Sequence, residues 1–308
     1  MKIDLATIIL NYNNFDDTIS LVNQLIYDGK SLKIVVVDNM STDDSRSKLE
    51  NFFSDFEILK ISSFIYKTKN IELVEYKCGL VYIKSDINGG FAYGNNLGLY
   101  FSMNQTNCSH FLVLNNDVKI TDGFIEGIFL FSKANSKFSL FGSIMLLDRE
   151  GKHNTLQGVG GKFNSFTGRS KHIGLYEKLG ENHMDYDVSS LDYPIGACLL
   201  FPRKTIEDIG YLNEEYFLYF EELDYVYQMR KNKMEFTIYK DKPLFHKCGA
   251  TIEQDKDESG LSSTSTFYLS RSRDIFMSKY HPYKWYIYKF LECVLKMKNL
   301  VRNIGGKC

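Results

Sequence analysis

Two short β-branched runs near the start of the chain constrain the fold most. The runs IDLATIIL (3–10) and LKIVVV (32–37) each end in polar residues, and an amphipathic stretch from Asp17 to Tyr27 separates them. Two apolar runs joined by a helical repeat are typical of a βαβ unit, whose strands are parallel. A second helix is expected from Ser41 to Phe53, because this stretch opens with STDDS. The sequence therefore predicts an α/β protein built on an open, mostly parallel sheet.

The same sheet is expected to continue to about residue 120. Residues 56–84 alternate apolar and polar side chains, which indicates a strand with an added hairpin. The glycines of NGGFAYGNN (88–96) predict a turn that leads into a helix. The run FLVL (111–114) then predicts a buried strand.

Polar residues close three of these predicted strands. Asn11 and Asp38 follow the first two, and Asp117 follows FLVL. Open α/β sheets bind ligands beyond the carboxyl ends of their strands, so these side chains should line one crevice. Asp117 is either a ligand for Mg²⁺ or Mn²⁺, which prefer oxygen, or a loop-capping residue. His246 is either a second metal ligand or a satisfied, partly buried histidine.

The second half of the chain is less regular. Residues 138–175 are rich in Gly, Ser and Lys, which favours irregular strands and loops over a surface. A buried strand is expected at 194–202, a short helix at 203–210 and a helix with an acidic start at 220–232. The aromatic and basic segment 281–302 predicts an amphipathic helix that either lies on a membrane surface or packs on the domain.

The acidic helix start is embedded in aromatic residues. In YFLYFEELDY (216–225), Glu221, Glu222 and Asp224 stand among Tyr and Phe. Aromatic burial raises the pKa of a carboxylate toward the range that suits a general base. The alternative is favourable charge in the first turn of a helix, and the two interpretations are compatible.

Composition excludes several classes of function. Thirty-seven basic and 38 acidic residues leave a net charge of −1, so no overall field attracts nucleic acid. The six cysteines form no Cys-x-x-Cys pair, which argues against a zinc or redox motif and favours a reducing cytosol. The N-terminal apolar stretch is too short for a signal peptide, and no apolar run reaches 18 residues. NGGFAYGNN and GVGGKF match neither a dinucleotide fingerprint nor a P-loop.

Eight motifs in order resemble the family-2 glycosyltransferases of the GT-A fold, especially their bacterial rhamnosyltransferase-like branch. They are TIILNYNN, VVVDNMSTDDS, NGGFAYGNNLG, FLVLNNDV, PIGACLLFPR, YFLYFEELDY, HKCGA and FYLSRSRD. The resemblance implies a GT-A domain at 1–275, with a Rossmann-like nucleotide-sugar-binding half (1–120) fused to an acceptor and catalytic half (121–275). Residues 276–308 would form a C-terminal amphipathic helical extension.

The resemblance also assigns roles to individual residues. Those that match the donor-binding segments of the family are Leu10, Asn11, Tyr12, Asp38, Asn39, Asn88, Gly90, Asn95, Asn116 and Arg271. Asp117 matches the last Asp of the family's Asp-x-Asp metal motif, and His246 matches the histidine that completes the metal site. The implied cofactor is therefore Mn²⁺ or Mg²⁺. Glu222 falls where the family has its catalytic base, and Glu221 is implied to orient the acceptor.

Two positions depart from the family pattern. Asn115 replaces the first Asp of Asp-x-Asp, which leaves Asp117 and His246 to hold the metal. Glu222 replaces the more usual Asp, and its extra methylene moves the carboxylate by about 1.5 Å. Arg271 and Arg273 either cover the donor diphosphate, as the resemblance implies, or are two surface arginines.

The implied activity is an inverting, metal-dependent sugar transfer. The donor would be thymidine-diphosphate rhamnose or a uridine-diphosphate hexose, and the acceptor a hydroxyl of a lipid-linked oligosaccharide or a growing bacterial surface polysaccharide such as a capsule. The expected location is the cytoplasm, peripheral at the inner face of the plasma membrane, either as a monomer or as a homodimer through the C-terminal helix. The alternatives are a non-catalytic nucleotide-sugar-binding subunit of a polysaccharide synthesis complex and a sugar nucleotidyltransferase. The latter needs a glycine-rich, basic loop after the first strand, which LNYNNFDD lacks.

Overall fold

One long mixed sheet organises the chain. The computed structural model describes residues 4–30, 33–149, 154–180, 186–247, 263–290 and 293–294. The strands are β1 (Leu5–Asn11), β2 (Lys33–Asp38), β3 (Ile58–Tyr66), β4 (Lys69–Tyr76), β5 (Leu80–Lys84), β6 (His110–Asn115), β7 (Val118–Lys119), β8 (Leu140–Leu147), β9 (Leu156–Gly158), β10 (Gly160–Asn164), β11 (Arg169–Ile173), β12 (Cys198–Pro202) and β13 (Phe236–His246). The helices are α1 (Phe15–Asp28), α2 (Ser45–Phe53), α3 (Gly90–Gln105), α4 (Phe124–Ala134), α5 (Arg203–Ile209), α6 (Glu221–Lys231) and α7 (Ser263–Tyr280).

The sheet topology brings several strand ends to one edge. The strand order is β3-β4-β5-β2-β1-β6-β12-β8-β13-β7, with β9 paired to β8. Strands β5, β2, β1 and β6 are parallel to one another, β12 runs antiparallel to β6 and β8, and β13 is parallel to β8. The carboxyl ends of β1, β2, β6, β8 and β13 therefore lie at the same edge as the start of β12. The prediction of an open, mostly parallel sheet flanked by helices is confirmed.

Alternating strand residues build a core on each face of the sheet. Ile8 belongs to the apolar cluster that contains α3 and α6 side chains, whereas its neighbour Ile9 belongs to the cluster that contains α1, α2 and α4 side chains. Helix α3 lies very close to β1, because a Cβ at Gly98 would stand 2.5 Å from the Ile8 side chain. This close contact places the start of α3 beside the carboxyl end of β1.

The expectation of irregular surface structure at 138–175 was wrong for its first part. Strand β8 is buried at all eight positions and lies between β12 and β13 in the sheet. Gly142 is small because the strand is crowded: a Cβ there would stand 2.5 Å from Pro194 Cβ. This glycine, which suggested a loop, is thus a packing requirement. Strand β11 is exposed or half-buried at every position, as expected for part of this range.

The C-terminal part is helical in two pieces. Helix α7 spans the proposed domain boundary at residue 275, and residues 282–290 form a further helix within the predicted segment 281–302. Residues 295–302 of that segment, and Cys248–Ala250 of the HKCGA motif, lie outside the described residues. Among the described helices, none is long and apolar enough to cross a bilayer.

Gly90 lies directly against the Phe217 backbone, and we expect Gly90→Ala to destabilise the fold. Gly90 has φ +86°, and a Cβ there would stand 2.2 Å from the Phe217 carbonyl oxygen, which accepts a 2.8 Å hydrogen bond from Phe91 N. Backbone strain and overpacking together should lower the free energy of unfolding by roughly 2–5 kcal/mol in urea titrations. The control is Gly29→Ala, which has φ +62° but its nearest neighbour at 3.9 Å; it should lose only about 1 kcal/mol. Equal losses would show that Phe217 does not confine Gly90.

Candidate active site

The two predicted metal ligands meet at the edge where β6 and β13 end. Asp117 Oδ1 lies 3.0 Å from His246 Nε2, and both side chains are buried. Strand β7 brings them together, since Val118 pairs with His246 and the Lys247 N–H donates to the Asp117 carbonyl oxygen at 3.2 Å. His246 is the last residue of β13 and not a loop residue.

Gln157 of β9 orients the His246 ring and was not found by the sequence analysis. Its Oε1 lies 2.7 Å from His246 Nδ1, and the Gln157 side chain is buried. When His246 donates its Nδ1–H to Gln157, the lone pair of its Nε2 points toward Asp117 Oδ1. Because a lone pair and a carboxylate oxygen repel each other, a proton or a cation must lie between them. No sequence signal identifies this glutamine beyond its polarity within the buried run LQGVGG.

Asn115 adds an amide to this pair. Its Nδ2 lies 3.4 Å from His246 Nε2. Its Oδ1 is buried and has no hydrogen-bond partner among the residues that the structure describes. A buried carbonyl oxygen without a partner is costly, so the crevice holds one acceptor that a cation or a donor group would satisfy.

Glu221 and Glu222 begin α6 and have raised pKa values. Glu222 is half-buried, and burial raises its pKa to about 7. Glu221 is almost fully buried, and its pKa is raised well above the usual value by burial and by the neighbouring charge of Glu222. Glu221 Oε1 has no hydrogen-bond partner within the described part of the chain. At neutral pH the pair therefore holds a proton that can be exchanged.

A two-residue backbone link connects these acids to the predicted metal ligands. The Glu222 carboxylate lies against Gly196, where a Cβ would be 3.6 Å from both Cδ and Oε2. The next residue, Ala197, accepts a 3.0 Å hydrogen bond from Asn115 N through its carbonyl oxygen. Asn115 in turn lies next to His246. The two acids and the Asp117–His246 pair therefore lie at the same edge of the sheet.

Asp224 belongs to the core and not to the crevice. It is completely buried, and its carboxylate accepts hydrogen bonds from Tyr216 (3.0 Å), Gln228 (2.5 Å) and Lys279 of α7 (2.8 Å). Three acids that look equivalent in the sequence thus have different surroundings. Asp224 lies about one helical turn after Glu221 and on the same face of α6, so its hydrogen bonds to Tyr216, Gln228 and Lys279 are what set it apart from Glu221.

Two residues in left-handed conformations precede the acids. Tyr219 has φ +70° and Phe220 φ +76°, values that bulky residues rarely adopt. Helix α7 holds this turn, because Ser272 Oγ donates to the Leu218 carbonyl oxygen at 2.8 Å and Tyr268 stacks on Phe217 with ring centroids 4.3 Å apart. Strain of this kind persists only when surrounding contacts enforce it, and it is concentrated at functional sites.

A buried polar network closes β1 and β2. Asp38 is completely buried, and its oxygens accept hydrogen bonds from Asn11 (3.1 Å), Ser41 (2.5 Å) and Arg46 (2.6 Å). The Asn11 Oδ1 accepts a 2.7 Å bond from Thr18. The network fixes the backbone at the crevice. Both oxygens of the Asp38 carboxylate already accept hydrogen bonds from protein groups. Direct contact between Asp38 and a nucleotide therefore stays a prediction.

Most of the remaining predicted donor-binding residues lie around the same edge. Asn39 Nδ2 donates to Asn88 Oδ1 (3.0 Å) and to the Gly90 carbonyl oxygen (3.1 Å). Asn116 Nδ2 donates to Thr18 Oγ1 at 2.9 Å. Buried Asn95 Oδ1 has no hydrogen-bond partner among the described residues. Leu10 and Tyr12, at the end of β1, are half-buried, and Arg271 of α7 is exposed.

Comparisons with known proteins agree with this architecture. The chain is 29% identical over 234 residues to the low-salt glycan biosynthesis hexosyltransferase Agl10 of Haloferax volcanii, a match that covers 75% of this chain and 63% of that protein. The fold of the chain matches that of GalNAc-T7, which was solved with UDP, GalNAc and Mn²⁺. The TM-score is 0.58 at 9% sequence identity, and the match covers 79% of this chain and 43% of GalNAc-T7.

TarS of S. aureus also shares the fold. The match to TarS of S. aureus (residues 1–349) has a TM-score of 0.50 at 14% identity and covers 90% of this chain and 66% of that one. No family model matches the chain. The chain is therefore similar in sequence to a hexosyltransferase and has the fold of the GT-A glycosyltransferases.

Proposed function

We propose that this chain is an inverting, metal-dependent glycosyltransferase that moves a sugar from a nucleotide-diphosphate donor to a hydroxyl of a lipid-linked or growing bacterial surface polysaccharide. The observation that carries the proposal is the link of Glu222 through Gly196 and Ala197 to Asn115, beside the Asp117–His246 pair. A group with a pKa near 7 then lies at the same edge as two metal-ligating side chains. A base and a diphosphate-binding cation are the two elements that sugar transfer needs.

Asp117 and His246 suit a hard divalent cation. Carboxylate oxygen and a correctly oriented imidazole nitrogen face each other, and the partnerless Asn115 Oδ1 lies in the same cluster. No group of three or more His, Cys, Asp or Glu side chains forms a metal cage among the described residues. Few protein ligands leave positions for water and phosphate oxygens, as Mg²⁺ and Mn²⁺ require. When bound, the cation supplies charge neutralisation of the departing diphosphate.

The residues of the chain then have distinct tasks. Glu222 removes the proton from the acceptor hydroxyl as that oxygen bonds to the anomeric carbon. The bond from the anomeric carbon to the diphosphate breaks on the opposite face, so the configuration inverts and the nucleoside diphosphate leaves. Glu221 orients the acceptor hydroxyl, and the β1, β2 and α3 ends hold the nucleotide. Arg271 is proposed to reach the diphosphate.

The Agl10 likeness supports a hexose donor, since Agl10 is a hexosyltransferase by name, and the resemblance to the rhamnosyltransferase-like branch supports rhamnose. Thymidine-diphosphate rhamnose is proposed first and a uridine-diphosphate hexose second. Because the match spans less than two thirds of Agl10, the complete activity of Agl10 is not carried over to this chain. The acceptor is proposed to be lipid-linked, at the cytoplasmic face of the plasma membrane.

A donor panel tests the function. The full chain is mixed with Mn²⁺ and thymidine-, uridine- or guanosine-diphosphate sugars, and both the Tm and the release of nucleoside diphosphate are followed. One donor should raise the Tm by mass action and be consumed when acceptor lipid is added. A raised Tm without release over hours would favour the non-catalytic binding subunit. If no donor raised the Tm, both the transferase and the non-catalytic binding subunit would be contradicted.

The raised pKa of Glu222 predicts the pH dependence of transfer. The carboxylate is the active form and the carboxylic acid is inactive, so kcat/KM should fall about tenfold per unit as the pH drops below about 7, and level off above it. The apparent pKa belongs to the Glu221–Glu222 pair. The check is a profile of kcat/KM from pH 5.5 to 8.5, with the Tm measured in parallel. A flat profile between pH 5.5 and 7 would contradict the assignment.

Gln157→Leu should weaken metal binding. Loss of the acceptor at His246 Nδ1 frees the ring to rotate, and partners of this kind contribute about 10–100-fold to metal affinity. Gln157→Glu keeps an acceptor and should restore affinity. The readout is free Mn²⁺ by electron paramagnetic resonance, with no donor present. Gln105→Leu, an exposed glutamine at the end of α3, is the control. Equal Mn²⁺ affinity of Gln157→Leu and wild type would remove Gln157 from the site.

A further inference from the structure

The helix at 282–290 presents an apolar stripe to solvent. Tyr283, Tyr286, Ile287 and Phe290 are 86%, 65%, 62% and 68% exposed. Their spacing of three, four and seven residues places them on one face of the helix. Scattered exposed apolar residues are ordinary, but four large ones on a single face mark an interaction surface.

The opposite face already holds the helix on the domain. Arg273 lies over the Tyr288 ring at 4.9 Å, and His281 Nε2 lies 3.2 Å from Tyr227 OH. Trp285 Nε1 is buried. A helix that only packed on the domain would have a polar outer face. Here both faces are aromatic, so packing on the domain does not account for the outer stripe.

The stripe continues onto a second element. Phe166, in the turn between β10 and β11, is 75% exposed, and Lys284 Nζ lies 4.0 Å from its ring centroid. Lys284 also donates to Ser165 Oγ at 2.6 Å, which ties the hairpin to the helix. The surface thus has apolar side chains from two elements with a lysine between them.

The chain beyond this helix has the same character in its sequence. Val294, Met297 and Val301 continue the spacing of the stripe. Between 291 and 308 there are four cations and one acid, Glu292; the cations are Lys296, Lys298, Arg302 and Lys307. A second copy of this chain would bring like charges together, whereas an anionic surface would attract them.

We propose that the stripe Tyr283, Tyr286, Ile287 and Phe290, with Phe166, binds an anionic lipid bilayer. The tyrosines and Phe290 enter the boundary between headgroups and acyl chains, where amphipathic aromatic rings are favoured. Lys284, which lies between the stripe and Phe166, interacts with lipid phosphates. The stripe adjoins the acceptor half, because Tyr227 belongs to α6, the helix that begins with Glu221 and Glu222. The surface binds lipid whether or not the chain transfers sugar.

Vesicle sedimentation of the full chain tests the proposal without donor or metal. Vesicles of phosphatidylglycerol and phosphatidylcholine should bind the protein, pure phosphatidylcholine should bind it at least about tenfold less, and added salt should release it. The triple variant Tyr286→Ser, Ile287→Ser, Phe290→Ser should bind anionic vesicles at least about tenfold less than wild type. The matched control is Leu59→Ser, Ile61→Ser, Ile65→Ser, three comparably exposed residues of β3, which should bind as wild type does.

Two results would overturn the proposal. One is equal binding of the stripe variant and wild type. The other is a wild-type dimer, seen by sedimentation velocity, that the stripe variant dissociates while neither protein binds vesicles, because a second copy would then cover the stripe. Glu222→Gln should bind vesicles as wild type does. That variant separates failure of the lipid surface from failure of the proposed activity.

Discussion

Replacement of Glu222 by glutamine is expected to lower kcat by a factor of about 10²–10⁴, the usual contribution of a general base. Glutamine keeps the volume and the contact with Gly196 but cannot accept the proton of the acceptor hydroxyl. Donor affinity should not change, because Glu222 is not among the residues that are proposed to bind the donor. The measurement is steady-state sugar transfer with a saturating donor, together with the donor-induced rise in Tm.

Glu215→Gln is the matched control for this variant. Glu215 is an exposed acid six residues before Glu221, so its loss should leave kcat unchanged.

The stability of Glu222→Gln provides a second check. A carboxyl whose pKa is raised by folding destabilises the fold as the pH rises above its unfolded value of 4.5, so the variant should unfold with a smaller pH dependence between pH 5 and 7. If Glu222→Gln kept full activity, the catalytic base would have to be Glu221 or another residue.

The geometry at residue 196 is compatible with the proposed role of Glu222, where an aspartate is more usual. The Glu222 carboxylate lies against Gly196, two residues before β12 begins, and this residue has no side chain. A Cβ at position 196 would be in van der Waals contact with the carboxylate, 3.6 Å from Cδ and Oε2, and would occupy space next to it. The two departures noted in the sequence thus have local structural counterparts: Gly196 for Glu222, and a partnerless carbonyl oxygen for Asn115.

The polar residues at the strand ends could be located from the sequence, because a βαβ pattern is local and implies that its two strands are parallel. Once β1 and β2 are recognised as a βαβ pair, their carboxyl ends must share an edge, and polar residues after apolar runs identify it. The pairing of Asp117 with His246 depends further on the two-residue strand β7. A strand that short has no periodicity of its own, so the family resemblance was needed to connect the two residues.

Other features depend on contacts between distant residues and leave no local pattern. Strand β8 is crowded by Pro194 and Ile238, and this crowding selects the glycine that imitates a loop. Gln157 acts on a histidine 89 positions away. Asp38 and Asp224 resemble site residues in the sequence, yet both carboxylates face into the protein and hold neighbouring segments. Side-chain direction is set by tertiary packing, which a single sequence does not display.

Asp117→Asn is expected to abolish the Mn²⁺-dependent rise in Tm and to lower kcat/KM by roughly 10³-fold, because the loss of several kcal/mol of charge stabilisation at the departing diphosphate has that effect. Asparagine preserves the shape of the side chain and can still donate to His246, so the fold should persist. The removal of one negative charge is then the main change. Asp122→Asn, an exposed aspartate five positions further on, should bind Mn²⁺ and turn over donor as wild type does.

The proposed metal ligands and the proposed base can be tested independently, because they lie on different elements that are linked through Gly196, Ala197 and Asn115. Asp117→Asn should lose Mn²⁺ binding in the absence of donor, whereas Glu222→Gln should bind Mn²⁺ normally. Equilibrium dialysis of each variant with Mn²⁺ measures this difference without turnover. If Asp117→Asn retained both Mn²⁺ affinity and transfer, the cation would have to bind elsewhere, and the contact between Asp117 and His246 would be an internal ion pair that closes β7 against β13.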